Sequence, residues 1–329
     1  MSDYYGLYGQ KVQYLASDPT DVQTGQVWYN STSAVLKVRE VTTSGTWASG
    51  GNMGTARETL AGTGTQTAGL AFGGQQPPNT AATEEYDGSA WTAGGNLGTA
   101  RRALAGAGTQ TSGLAFGGRP LSPSTTAATE EYDGSTWTAG GSLGTARYGL
   151  GGCGTQTAAL GFGGYVSAPV SVTNATEEYD GSAWTSGGNL GTSRRNFPGA
   201  GTQTAGLAFG GLTPPGAPTN STEEYDGTSW TSGGNLTTGR YLLGGAGTQT
   251  AGLGFGGYIG PQTAATEEYN GTSWTTGGSL ATARSALAGA GTQAAGLAFG
   301  GQPPTPGTTA ATEEYTGPGA GITKTVTVT

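Results

Sequence analysis

Along most of the chain, apolar residues come in short bursts separated by Gly, Thr, Ser and Asn. No window carries the three-to-four-residue apolar spacing of an amphipathic helix. Residues 57–100 show the underlying unit. Arg57 is followed by LAGTGT (60–65), AGLAFG (68–73), a polar loop, ATEEY (82–86) and SAWTAG (89–94). Each burst has strand length and is bounded by turn chemistry, which predicts four antiparallel strands. Between the third and fourth, Asp87-Gly88 reads as a two-residue hairpin turn with both central residues at positive φ. The same signal recurs at Asp133-Gly134, Asp180-Gly181, Asp226-Gly227 and Asn270-Gly271.

The unit is repeated. Trp recurs at 47, 91, 137, 184, 230 and 274, and Phe-Gly-Gly begins at Phe72, Phe116, Phe162, Phe209, Phe255 and Phe299. Glu-Glu-Tyr ends at Tyr86, Tyr132, Tyr179, Tyr225, Tyr269 and Tyr315, and Arg57, Arg101, Arg147, Arg194, Arg240 and Arg284 each open a unit. Four short strands repeated six times predict an all-β, six-bladed propeller. The order Arg, Gly-Gly, Tyr-Asp, Trp (Arg57, Gly73-Gly74, Tyr86-Asp87, Trp91) resembles the kelch repeat over roughly residues 44–317. Two departures stand out: Thr316 replaces the Asp of four other units, and the first strands carry Gly and Ala where kelch repeats have larger residues. The resemblance implies a kelch-like propeller in which the opening Arg residues line the entrance of the central channel, where some kelch proteins bind acidic ligands.

Trp47 has no preceding Glu-Glu-Tyr, and the last Glu-Glu-Tyr has no following Trp. The strand around Trp47 is therefore expected to complete the sixth blade of a propeller spanning 44–317, which removes an exposed sheet edge. The tail strand within 318–329 is a rival for that slot. Residues 1–43 lie outside the repeat and are expected to form a small β module: strand 26–29, a turn at 30–33, strand 34–39, and the tail strand beside them. The stretch GQVWYNSTS (25–33, with its Gly at 25) resembles short segments of bacteriophage structural and tail-fibre proteins. That resemblance implies an anchor to other virion proteins.

Composition narrows the chemistry. Among 329 residues there are 66 Gly, 15 Pro and only 42 Leu, Ile, Val and Phe. Such values approach those of disordered chains, so the ordered repeat decides in favour of a fold. There is no His, which excludes a Ser-His-Asp triad, His-ligated metals and the copper chemistry of galactose oxidase, a related propeller. Cys153 stands alone, so neither an internal disulfide nor a Cys-cluster metal site is expected. Adjacent glutamates such as Glu84 and Glu85 point to opposite faces of a strand and recur in every unit, unlike a catalytic pair. The sialidase Asp-box spacing is absent. No enzyme activity, cofactor or metal is expected. A net charge of −8 argues against nucleic acid as a partner. No apolar run or N-terminal leader pattern suggests membrane insertion or export.

Strand alternation places the loop before each Arg and the loop after each Gly-Gly on one face, and the Thr-Gln-Thr and Asp-Gly turns on the other. The turns are nearly the same in all units, whereas the loops at 75–82, 119–128, 165–175, 212–221, 258–265 and 302–311 differ in length, aromatic content and Pro placement. Such variation suits recognition loops on a rigid scaffold, and drift in exposed loops produces it too. All nine repeat arginines are assigned to this loop face, most of the acids toward the other. The six opening Arg have two readings: guanidinium recognition of carboxylate or phosphate, or a scaffold role pairing with Glu or loop carbonyls. Arg102, Arg119, Tyr148, Arg195 and Tyr241 occur in only some units and are sharper ligand-binding candidates, with Tyr165 and Tyr258 as stacking platforms for sugar. The expected function is a non-enzymatic phage virion adhesin for a host-surface glycan or protein, exposed on the particle, with a homo-oligomer among the expected partners. The alternatives are a capsid or tail decoration protein and an intracellular kelch interaction scaffold.

Overall fold

The computed structural model describes residues 12–20, 25–41, 44–122, 124–319 and 321–326. The described residues contain strands and no helix. They divide into two compact units, one within residues 46–315 and one made of the described residues before 46 and after 315.

The larger unit holds six four-stranded sheets. Sheet 1 consists of Ala61–Thr65, Ala68–Phe72, Thr83–Tyr86 and Trp91–Ala93, all antiparallel. Sheets 2 to 5 repeat this order, with innermost strands Ala105–Gly108, Gly151–Thr155, Gly199–Thr202 and Gly244–Gly247. Sheet 6 joins Ala288–Gly291, Ala295–Phe299 and Thr312–Thr316 to Thr46–Ser49, so the strand bearing Trp47 fills its outer position. The innermost strands neighbour one another in a closed cycle from sheet 1 through sheet 6 and back.

Inner strands are built of Gly and Ala because the ring crowds them. A Cβ on Gly62 would lie 2.4 Å from the Phe299 ring of sheet 6, and one on Gly106 would lie 2.7 Å from Phe72 of sheet 1. The core accordingly lies between sheets, in six wedges. Leu70 and Phe72 of sheet 1, for example, pack with Ala115, Tyr132 and the partly buried Trp137 of sheet 2.

Polar clamps of one repeated kind cross each wedge. The Tyr132 hydroxyl donates to Glu85 at 2.5 Å, the Trp137 indole to Thr83 at 2.9 Å, and the Gln110 amide to the carbonyls of Gly69 and Tyr86. Between sheets 6 and 1 the pattern is complete, with Tyr86 to Glu314, Trp91 to Thr312, and Gln66 to Gly296 and Tyr315. Trp47 makes the equivalent bond to Thr266 and packs against Phe255 and Tyr315.

The third-to-fourth connection differs from the two-residue turn with two positive φ values. Tyr86 pairs with Trp91, leaving four residues between. Only Gly88 has positive φ (93°), and the Asp87 carboxylate accepts the amides of Ser89 and Ala90. These bonds hold the exposed Asp carboxyls low, Asp133 at about 2. An Asp side chain that caps its own turn needs no left-handed backbone at the Asp itself, and the fourth strand starts two residues later than the apolar pattern suggests.

In the smaller unit, Gln13–Leu15 lies parallel to Val27–Asn30, which is antiparallel to Val35–Val41, which in turn pairs with Gly321–Val326. The turn lies at 31–34, one residue later than expected, because Asn30 closes it by accepting the amides of Thr32 and Ser33. Asp18 ties the sheet together. It accepts from Lys37 at 2.6 Å, Asn30 at 2.7 Å and the buried Trp28 indole at 3.0 Å, with Lys37 foremost in holding its carboxyl at about 2.

Trp47→Ala is expected to lower unfolding free energy by about 3 kcal/mol, read by urea denaturation. An unchanged midpoint would remove Trp47 from ring closure. Alkaline pH tests the tyrosine clamps. Tyr86, Tyr132, Tyr179, Tyr225 and Tyr269 are pushed up to about 12, by burial first and the facing carboxylate second. A phenol with a raised folded pKa contributes stability in full below its unfolded value near 10 and loses it as pH climbs toward 12. Phenolate absorbance is expected to rise together with loss of β-sheet ellipticity in that window. Tyrosines titrating near pH 10 in a still-folded protein would contradict the clamps.

Candidate functional site

The six opening arginines are not at a channel mouth. Arg57, Arg101, Arg147, Arg194, Arg240 and Arg284 are buried, at 0–1% exposure. Each Nη2 pairs with the first glutamate of its own sheet's Glu-Glu-Tyr: Glu84 at 3.1 Å, Glu130 at 3.0 Å, and Glu177, Glu223, Glu267 and Glu313 at 2.9 Å. Nη1 of Arg57 donates to the Ala82 carbonyl, and of Arg147 to those of Gly163 and Ala175. The second oxygen of each Glu accepts a backbone amide, as Glu130 does from Gly98 at 2.6 Å. Burial pulls the guanidinium pKa values down, Arg194 to about 10, while the facing carboxylate opposes the shift. All stay charged at neutral pH and are consumed internally, so the anion-recognition reading of these six is withdrawn in favour of the scaffold role. The first glutamates are likewise buried partners of Arg rather than acids of the opposite face.

The residue following each buried Arg behaves differently. In every sheet its backbone bridges the residue following Gly-Gly. The paired positions are Glu58 with Gln75, Arg102 with Arg119, Tyr148 with Tyr165, Arg195 with Leu212, Tyr241 with Tyr258, and Ser285 with Gln302. One frame thus holds five different residue combinations, Tyr–Tyr occurring twice, and of the twelve side chains only Leu212 and Ser285 are buried. Seven of the sequence candidates, Arg102, Arg119, Tyr148, Tyr165, Arg195, Tyr241 and Tyr258, fall on this rim, and the structure brings most of them into contact. The Arg119 guanidinium lies 5.6 Å from the Tyr148 ring centre, Tyr148 and Tyr165 are 5.1 Å apart, and Arg195 lies 5.2 Å from Tyr165. Tyr241 and Tyr258 form a second pair at 5.5 Å. The Tyr241 phenol is raised, chiefly by burial and then by Tyr258, with Arg195 acting in the opposite sense. Glu58 is raised by burial and held back by Arg102. Glu58, Gln75, Leu212, Ser285 and Gln302 complete the rim and were missed. Aligning the residue after Arg with the residue after Gly-Gly, unit by unit, would have found them.

No protein-family model matches the sequence, and no curated protein matches it. Among solved structures, the chain is similar to YjhT, a kelch-like β-propeller, with a TM-score of 0.68 and 13% identity over 79% of this chain and 95% of that one. The fold is a β-propeller.

Hollows open in the propeller among the described residues, two of them bearing on the site. The first, about 140 Å³, follows the axis and is lined by four residues from each blade, including Thr59–Gly62 and Asn196–Gly199, none of them charged. At its rim side six residues, Thr59, Ala103, Gly149, Asn196, Leu242 and Ala286, adopt positive φ between 50° and 63°. Each donates its amide to the carbonyl of the preceding blade's equivalent at 2.6–2.8 Å, from Ala103 to Thr59 and so on to Thr59 to Ala286. This backbone belt occupies the place where the arginines were expected. The second hollow, about 180 Å³, lies between the loops of blades 1 and 2 and is lined by Pro77, Pro78, Asn79, Arg102, Arg119 and Leu121, among others. Cys153 is buried in an inner strand, where burial pushes its thiol up to about 12, and it takes no part in either hollow.

The buried and rim arginines are expected to separate by stability. Arg147→Gln strands Glu177 in the interior and should cost about 3–5 kcal/mol. Arg195→Gln should fall within about 0.5 kcal/mol of the parent. Urea unfolding of both variants checks this, and equal losses would dissolve the distinction between scaffold and rim.

Proposed function

We propose that this chain is a non-enzymatic recognition protein of a phage virion, binding a host-surface glycan or protein through the rim pairs of its propeller. One observation carries the reading: the scaffold Arg, Glu, Tyr, Trp and Gln repeat with the same partners from blade to blade, while the bridged pairs beside them change, only Tyr–Tyr occurring twice. Scaffold identity beneath and side-chain diversity on top is the arrangement of a binding surface. The rim is rich in Tyr and Arg, the residue types that dominate binding energy at interfaces. The virion setting is supported by the likeness of residues 25–33 to segments of phage structural proteins. The structure builds that stretch into the hairpin Val27–Asn30 and Val35–Val41, and the smaller unit would supply the link to other virion proteins.

The test is adsorption of the fluorescently labelled full chain to a panel of bacterial strains, alongside mass spectrometry of purified particles. Saturable binding to a subset of strains is expected, reduced roughly tenfold or more by Tyr165→Ala with Tyr258→Ala. Absence of binding to every strain, or no loss in the double variant, would overturn recognition by the rim. Absence of the chain from particles would overturn the virion setting.

A further inference from the structure

The rim is uneven in a way that selects a ligand class. Blades 1 and 6 place Glu58, Gln75, Gln302 and a buried Ser285 at these positions, without an aromatic ring. Blades 2 to 5 present, in order, a cation, a tyrosine pair, a cation and a second tyrosine pair: Arg119, Tyr148 with Tyr165, Arg195, Tyr241 with Tyr258. Among the described residues, no carboxylate lies within ion-pair distance of Arg119 or Arg195, in a chain whose net charge is −8. Their neighbours are rings, which hold each guanidinium by a cation–π contact and leave its N–H donors for a bidentate contact with carboxylate or sulfate.

All four tyrosines are half-buried, and their backbones are held by the bridges below. They are rigid platforms with apolar faces and a hydroxyl at the edge, suited to sugar rings that offer C–H on one side and hydroxyls around it. A site that alternates cation and aromatic pair with the spacing of the blades fits a ligand that alternates in the same way. Building on the recognition reading above, we propose that the arc from Arg119 to Tyr258 binds an anionic polysaccharide. Its acidic groups lie at Arg119 and Arg195, and its sugar rings lie on the two tyrosine pairs.

The test is binding of the full chain to immobilised polygalacturonate, its fully methyl-esterified form, dextran sulfate, dextran and polyglutamate. Polygalacturonate or dextran sulfate should bind, and the stronger of the two identifies carboxylate or sulfate as the acidic group. The uncharged counterparts should bind at least roughly tenfold more weakly. Arg119→Gln and Arg195→Gln, with unchanged melting, should each lose about ten- to hundredfold for the acidic ligand, and Tyr165→Ala roughly tenfold. Equal binding of esterified and acidic polymer, or no loss in the double arginine variant, would overturn the anionic assignment while leaving a recognition rim in place. Polyglutamate binding as tightly as the acidic glycans would overturn the saccharide assignment. No binding to any glycan would overturn the proposal, and only if strain adsorption also failed would the recognition function fall with it.

Discussion

The buried guanidinium of each blade holds the fold and its surface in register. A charge this far from water is costly unless it is paired, and the first glutamate of Glu-Glu-Tyr supplies the ion pair in all six blades. The same side chain reaches the carbonyls on both sides of the loop that follows the second strand. In blade 1 these are Ala71, before the loop, and Ala82, just after it. Both ends of the loop are pinned by one residue, so what lies between them can change length and content without disturbing the sheet.

The bridge beside that arginine gives the freedom a location. Because the residue after Arg and the residue after Gly-Gly are joined through backbone, their side chains share one place whatever they are. Two arginines in blade 2, two tyrosines in blades 3 and 5, and a serine with a glutamine in blade 6 occupy equivalent positions. Side chains at these paired positions can change from blade to blade while the layer below carries the fold.

The repeat made the architecture readable, since six linked occurrences of Arg, Phe-Gly-Gly, Glu-Glu-Tyr and Trp leave little choice beyond a closed ring of four-stranded sheets. The sharper binding candidates were readable for a related reason: Arg102, Tyr148, Arg195 and Tyr241 differ from unit to unit at one fixed position. The fate of the opening arginines was not. An Arg that recurs with a Glu about 27 residues later in its unit is compatible with a mouth-lining cation or a buried pair. Only three-dimensional depth separates the two. The left-handed belt was hidden for a different reason. Thr59, Ala103, Asn196 and Leu242 share no residue type, because what they have in common is a backbone hydrogen bond that side chains do not encode. The capped Asp turns were misjudged because Asp-Gly signals a left-handed pair and a side-chain cap equally well.

The clamps between blades all run in one rotational sense. Tyr, Trp and Gln of one blade donate to Glu, Thr and carbonyls of the preceding one, as does each amide of the belt. By these bonds every blade has a mainly donating flank and a mainly accepting flank, although the Thr63 hydroxyl and the Gly141 amide donate forward, to the Gly108 carbonyl and the Tyr179 hydroxyl. An interface of that type is heterologous and saturates only by returning to its starting point. The ring removes both free ends at once. An opened ring would expose one flank of each sort, complementary to each other and to those of every other opened molecule. Closure by the Trp47 strand thus also separates a discrete particle from a head-to-tail polymer.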